Sequence, residues 1–444
     1  MKTPLWLEAM RTRRREDREA FRALAKEAGP YSVKRSPAIY RIIFYGWDYL
    51  LTPGGKLFLA AFAVTGLAGI ITPSIPLYQV PLALIVFLSI AAGFAHLISM
   101  GKIHAKGNFP EKVTAGQLVR GTCTIVRKGA WPVYDISAGC FLLPRSWEFD
   151  SEHRTVRKLS QDVPVTLPIE LRPRKRGLYA LPPIRVFTTF PFNLLRFELT
   201  RAPGAQLLVL PKFHSVTSIE LEVGSRYQPG GMTLTSHVGE SPEFIGNRNY
   251  LPGDSLRRID FRSWARLARP VVREYQEEYY CRIALVLDTF IQRSRRPGRD
   301  GFPELEAAVS LSATVADALA HGEYIIDLFA AGPELHVFRA GRHTAHFENV
   351  LEILACVGPC RDNPFQKVTP ALVNELASVS TLVCVFLDWD ADRAALVQSA
   401  LEAGCSVKVL IVRNGETTLP VGAEGAVFQQ LTPEQVQAGG YSSL

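Results

Sequence analysis

Hydrophobic and polar positions change their rhythm several times along this chain. From Leu57 to Met100 there are 44 residues without Asp, Glu, Lys or Arg. About 20 apolar residues carry a helix across the hydrocarbon core of a bilayer. The run therefore predicts two crossings, near Leu57–Thr72 and Val80–Met100, separated by Pro73, Pro76 and Pro81. It lacks the polar face that a helix of a soluble protein normally carries. Residues 53–102 are thus expected to form a two-helix transmembrane hairpin after a basic N-terminal segment, 1–52. Both flanks are more basic than the uncharged connector Pro73–Gln79, which places both on the cytoplasmic side. The expected protein is an integral membrane protein with two spans and cytoplasmic soluble domains.

A different rhythm follows. Gln117–Arg127, Val163–Leu171 and Ile184–Thr189 alternate polar and apolar residues, with turn signals at Lys128-Gly129, Pro173, Arg176-Gly177 and Pro182-Pro183. Many short strands with frequent turns predict a β-sandwich over 103–225. Beyond residue 281 the apolar runs become continuous: Arg282–Leu287, Tyr324–Ala330, Thr381–Leu387 and Ser406–Val412, with Leu335–Arg339 as a further strand. Helical spacing at Pro303–His321, Thr344–Val357, Pro370–Ala377 and Ala391–Ala403 alternates with them. That alternation predicts a doubly wound α/β domain over 281–430, its sheet covered on both faces. The polar residues of 431–444 read as a flexible tail. The expected fold class is thus multidomain: membrane hairpin, sandwich, then α/β domain.

Composition narrows the chemistry. The 444 residues are 47% hydrophobic and 21% charged, which excludes global disorder. The net charge of +8 is concentrated: residues 1–50 and residues 257–273 each carry +5. Two local basic features fit this better than a chain coated for nucleic acid. The seven cysteines are scattered without a CxxC, which fits a reducing compartment. No GxxxxGK[ST], HExxH or GxSxG occurs, and no catalytic set stands out.

The second basic feature lies in the segment 226–280, within Glu243–Glu274 (EFIGNRNYLPGDSLRRIDFRSWARLARPVVRE). Pro252-Gly253 suits the centre of a type II turn, and Asp254 can cap the following turn. Arginines then interleave with Ile259, Phe261, Trp264 and Leu267. Guanidinium stems pack on apolar surface, and their forks grip carboxylates or phosphates. Asp260, Glu243 and Glu274 are internal partners for them. Docking of the segment onto its own neighbours, docking of another protein, and a phosphate or nucleic-acid site are all chemically open.

The run Arg248-x-Tyr250-x-Pro252-Gly253-Asp254-x-x-Arg257-x-Ile259-Asp260, then Ala265-Arg266 and Val272-Arg273-Glu274, resembles the signature of the domain of unknown function 58 family. Upstream, Arg176-Gly177-x-Tyr179 and Pro191-Phe192-x-Leu194 resemble that family's end-of-sandwich pattern, with Phe190, Asn193 and Phe261 as departures. The resemblance spans about residues 40–425. It implies a bacterial inner- or plasma-membrane anchor, a β-sandwich, a von Willebrand factor type A-like domain, and the company of a MoxR-type AAA+ ATPase. The family the chain resembles has no established enzymatic activity, so the resemblance implies architecture and company and little mechanism.

Ligands of doubly wound sheets sit beyond the carboxyl ends of the strands, where Asp288 and Asp388 fall. Type A domains hold a divalent cation there with Asp-x-Ser-x-Ser and later oxygens, a donor set suited to Mg²⁺. Here the motif reads Asp288-Thr289-Phe290-Ile291-Gln292, so both serines are missing and the site is degenerate. No cofactor is required by the pattern, and Mg²⁺ at Asp288 and Asp388 is the one metal it leaves open. The leading expectation is a non-catalytic, membrane-anchored interaction protein whose type A-like domain binds a MoxR-type ATPase or its client, with no nucleic acid as partner. The alternatives are a metal-assisted hydrolase using Asp288 and Asp388, and a nucleic-acid-binding module using the Arg-rich segment.

Overall fold

A computed structural model describes residues 47, 50–71, 75–99, 103–129, 132–141, 143, 147–149, 155–221, 244–275, 282–298, 301–321, 325–331, 335–339, 346–373, 375–376, 379–441 and 443–444. The basic segment before Trp47 lies outside the described residues. The chain divides into two compact units: Met1–Phe213 with Arg293–Ser310 and Leu351–Val357, and His214–Gln292 with Leu311–Val350 and Gly358–Leu444.

The first unit opens with two helices, α1 (Pro53–Ile71) and α2 (Ile75–Ser99), which pack on each other with Phe58 and Phe87 rings 6.2 Å apart. Among the described residues no helix is long and apolar enough to cross a membrane. The expected transmembrane hairpin, membrane partner and integral-membrane location are therefore corrected. Length supplies the physical reason. The first turn of α1 is spent on Pro53, Gly54, Gly55 and Lys56. The fifteen residues left span about 22 Å at 1.5 Å each, against a hydrocarbon core of about 30 Å. Pro81 lies inside α2, where it supplies no N–H to the helix. The start of α1 is also tied to a loop: Thr52 N–H donates to Leu194 O at 3.1 Å, and Gly55 N–H donates to Thr52 Oγ1 at 3.0 Å. The Phe87 ring of α2 lies 4.4 Å from that of Phe192 of the same loop, tilted by 40°. Leu57, Val64, Leu67, Leu82 and Ile90 remain exposed on these helices.

Eleven described strands follow: β1 (Ile103–Asn108), β2 (Lys112–Thr114), β3 (Val119–Arg127), β4 (Val133–Cys140), β5 (Trp147–Phe149), β6 (Val156–Leu159), β7 (Val165–Pro173), β8 (Gly177–Ala180), β9 (Ile184–Thr188), β10 (Phe197–Ala202) and β11 (Gln206–Leu210). Antiparallel sheets β1-β3-β7-β5 and β10-β9-β4-β6 share one core, beside a short sheet β2-β11-β8. The alternation of β3 sends Val119, Cys123 and Ile125 inward. β9 departs from its predicted alternation, since all five of its residues are buried between two neighbouring strands.

The second unit contains the hairpin β12 (Phe244–Asn249) and β13 (Val271–Tyr275), with helix α3 (Phe261–Leu267) between them. Its main sheet comprises β14 (Arg282–Leu287), β15 (Ile325–Ala331), β16 (Leu335–Arg339), β17 (Thr381–Phe386), β18 (Ser406–Val412) and β19 (Ala426–Leu431). The strand order is β16-β15-β14-β17-β18-β19, parallel throughout except for the antiparallel edge strand β16. The helices that alternate with these strands along the chain are α4 (Pro303–His321), α5 (His346–Cys356), α6 (Phe365–Val373), α7 (Ala391–Glu402) and α8 (Pro433–Ala438), of which α4 and α5 are divided between the two units. Helix α6 starts before the predicted Pro370 and carries that proline inside. Its start is set by Asn363, whose Oδ1 accepts Phe365 N–H at 3.0 Å, with Pro364 fitting the first turn. The expected polar tail instead forms α8, closed by a Thr432/Gln435 capping box, and Leu444 is buried.

Candidate functional site

The chain leaves β14 for β15 and β16 on one side, and takes up β17, β18 and β19 on the other. The order therefore reverses between β14 and β17, and the crevice beyond their carboxyl ends is where open α/β sheets bind ligands. Asp288 and Asp388 follow those two strands. Asp288 is fully buried, and its N–H donates to Val385 O at 2.9 Å. Its Oδ1 accepts Phe290 N–H at 2.9 Å. Its Oδ2 accepts Leu387 N–H at 2.9 Å, Arg393 Nε at 2.9 Å and Arg393 Nη2 at 2.6 Å.

Arg393 comes from the first turn of α7, a helix that Asp390 caps by accepting Arg393 N–H at 3.1 Å. Its Nη1 pairs with the Asp390 carboxylate, and its Cζ lies 4.8 Å from the centre of the Phe365 ring. Burial works against the charge of Arg393. Asp288, by Coulombic attraction and hydrogen bonds, and then Asp390 and Asp388 outweigh it and lift the guanidinium above its ordinary pKa. Sequence reasoning misses Arg393, because a charge in the first turn of an amphipathic helix looks like surface. The Asp390-x-x-Arg393 spacing is the local signal that could have found it.

Asp388 has a separate set of partners. Its Oδ1 accepts Trp389 N–H at 2.8 Å and Thr418 N–H at 2.9 Å, and its Oδ2 accepts Thr418 Oγ1 at 2.7 Å and lies 2.5 Å from Arg413 Nη1. Burial raises its pKa, but these hydrogen bonds and Arg413 bring it below the usual carboxylate value. Among the described residues Asp288 and Asp388, which the hydrolase alternative would bring together, thus share no hydrogen-bond or ion-pair partner. Phe290 and Gln292 occupy the expected serine positions. Thr289 is buried, with Oγ1 unpartnered among the described residues. Among the described residues no group of three His, Cys, Asp or Glu is arranged to hold a metal ion.

The Arg-rich module is built differently. Leu251-Pro252-Gly253-Asp254 closes as a turn, with Asp254 N–H donating to Leu251 O at 3.1 Å and Gly253 at φ 110°. Arg248 grips Asp254 with both forks at 2.8 Å, and Leu251 N–H donates to the same carboxylate at 2.8 Å. Those contacts, Arg248 first, hold the Asp254 carboxyl below its ordinary pKa. Asp254 therefore closes its own turn rather than capping the next one. The helix cap is Asp260, which accepts Arg262 N–H at 3.1 Å and Ser263 N–H at 3.3 Å. Asp260 also accepts Ser263 Oγ at 2.7 Å and Asn247 Nδ2 at 3.0 Å, and Arg273 lies 3.7 Å away. Hydrogen bonds from Ser263 Oγ, then Asn247 and the two amides, bring its pKa to about 2.

Tyr250 N–H donates to Pro270 O at 3.0 Å, which closes the base of the module. Glu274 lies in β13. Helix α3 buries none of its residues. Leu256 (69% exposed), Phe261 (67%) and Trp264 (38%) face solvent, with the two rings stacked 6.0 Å apart. Arg257, Arg258, Arg262, Arg266 and Arg269 are exposed beside them and make no side-chain hydrogen bond or ion pair among the described residues.

Residues 246–435 match the family described as "Protein of unknown function DUF58", a stretch that holds both the module and the strand-end crevice. The uncharacterized protein YeaD of Bacillus subtilis (strain 168) is 25% identical over 193 residues, covering 43% of this chain. The chain spans 45% of the length of that relative. Solved structures with some likeness include the CARDB domain of PF1109 from Pyrococcus furiosus (12% identity, 24% of this chain and 94% of that one, TM-score 0.18). Another is a beta-glucosidase from Listeria innocua (12% identity, 25% of this chain and 16% of that one, TM-score 0.17). Scores this low carry no argument about fold or function.

Proposed function

We propose that the chain is a non-catalytic interaction protein that docks a protein partner through the β12–α3–β13 module. One observation carries the reading: Asp254 and Asp260 are held within the module, while five of its arginines make no side-chain hydrogen bond or ion pair among the described residues. Asp254 is consumed by Arg248 and a turn amide, and Asp260 by a helix cap. Five exposed guanidiniums and a stacked aromatic pair then lie together within residues 257–269. Arginine and aromatic side chains are the residues that anchor protein interfaces. The matching partner surface is acidic at its rim and apolar at its centre.

The family likeness makes a MoxR-type AAA+ ATPase, or its client, the first partner to test, and a type A-like role for the six-stranded sheet belongs to the same reading. The test is capture of the purified ATPase by the full chain in nucleotide-free, ADP and ATP-analogue states. Capture in at least one state is expected. A variant carrying Arg257→Glu, Arg258→Glu and Arg262→Glu should bind about tenfold or more weakly. No capture in any state would overturn the proposal. So would binding that follows nucleic acid, with the steep salt dependence of counterion release.

A further inference from the structure

We infer that the strand-end crevice carries its own cation: the Arg393 guanidinium neutralises Asp288 in the role a divalent ion has in type A domains, and the crevice takes no Mg²⁺. The donor chemistry does not fit the metal. Mg²⁺ asks for six oxygens in near-octahedral array, whereas the loop after β14 offers Phe290 and Gln292 where hydroxyls would stand. A carboxylate has about four lone-pair sites. Asp288 Oδ2 already accepts three N–H donors, two of them from Arg393, and Oδ1 accepts one. A metal ion approaching Asp288 would meet a fixed positive charge at hydrogen-bond distance from the same oxygen.

The position of Arg393 is itself informative. A cation in the first turn of a helix is opposed by the helix dipole, and this one is also buried. Such a placement persists only where compensation exceeds both costs. Asp288, Asp390 and the face of Phe365 supply it. The guanidinium thereby joins the end of β14 to the start of α7 across the point where the strand order reverses, with Leu387 N–H after β17 on the same carboxylate oxygen.

The test is thermal unfolding of the full chain titrated with MgCl₂ or MnCl₂, read beside Mn²⁺ electron paramagnetic resonance. The wild-type Tm should not move, because a ligand stabilises only a state it binds. No bound Mn²⁺ signal should depend on Asp288. Arg393→Ala should lower the Tm, and low-millimolar guanidinium should recover part of that loss while leaving the wild type unchanged. Arg393→Lys, which keeps the charge without the fork, should fall between. A saturable rise of the wild-type Tm with Mn²⁺ that disappears in Asp288→Asn would overturn the inference. An Arg393→Ala protein as stable as wild type would also overturn it. Should Arg393→Ala fail to fold, the wild-type and Asp288→Asn titrations still decide the matter.

Discussion

Arg176 of the first unit offers the sharpest test of how these structures are held. Its side chain is 5% exposed, and each of its donor edges has a partner. Nε donates to Leu354 O at 2.9 Å, Nη2 donates to Val357 O at 2.8 Å, and Nη1 pairs with Glu306, which is 24% exposed. The two carbonyls belong to the end of α5, where the last C=O groups of a helix lack partners and a cation is favoured. Truncating Arg176→Ala strands both carbonyls and one carboxylate. Breaking a buried ion pair costs about 3–5 kcal/mol, and each hydrogen bond to a charged group about 1.5–3 kcal/mol. These contributions overlap, and partial exposure of Glu306 weakens the ionic part, so the expected loss is about 4 kcal/mol. A chain of two compact units need not unfold in one step. The assay is therefore native-state hydrogen exchange, read at the amides of β7 and β8 that flank Arg176. Arg176→Lys keeps the charge and loses the fork, so it should show a smaller but clear loss. A change below about 1 kcal/mol in the alanine variant, within reach of an ordinary surface substitution, would refute the reasoning. So would a lysine variant that matches wild type.

Two further outcomes follow from the second unit. Trp389 is buried, with its ring 5.0 Å from Phe428 in a T-shaped contact and 6.4 Å from Phe386. Trp389→Ala should destabilise the sheet by about 3–5 kcal/mol in hydrogen exchange at β17 and β18. Asp260 has a pKa lowered from 3.8 to about 2 in the folded chain. A depressed carboxylate binds fewer protons folded than unfolded, so its contribution is present above about pH 4 and fades as pH falls toward about 2. Protection of the Arg262 and Ser263 amides should decline across that window in wild type. It should not do so in Asp260→Asn, which still caps but carries no charge. Identical pH curves would remove Asp260 from the account.

How much of this was legible beforehand depends on the range of the interaction. Arg282–Leu287 reads as a buried strand because its apolar run flanks no polar face, and it forms the centre of the sheet. The arginines and aromatics of 257–269 leave internal docking, a protein partner and a phosphate site all open in the sequence, and only the structure shows that helix α3 buries none of its residues. The hydrophobic run 57–100 misleads for a physical reason. Composition reports what a side chain avoids, while spanning also needs uninterrupted length. The close approach of Gly55 to the Leu194 carbonyl ties up the first turn of α1 and limits its free length without altering the hydropathy. Helix α6 was misplaced because Pro370 looks like a start, whereas the Asn363-Pro364 pair provides one. The Thr432/Gln435 capping box was readable, but the polarity around it suggested a tail.

The pairing of Asp288 with Arg393 lies beyond such reading, since 105 residues separate the partners and only the return of the chain to the neighbouring strand brings them together. That pairing and the arginine-rich module are two resolutions of the same electrostatic problem. In the crevice a buried carboxylate is an unacceptable isolated charge, so a guanidinium is drawn in and both disappear from the surface. In the module Arg248 and a turn amide hold Asp254 and a helix cap holds Asp260, while among the described residues the arginines of 257–269 form no ion pair. The cationic face therefore does not arise from an excess of arginine alone. Arg248 and a turn amide hold Asp254, and Ser263, Asn247 and the helix-cap amides hold Asp260, so the arginines of 257–269 make no side-chain hydrogen bond or ion pair among the described residues.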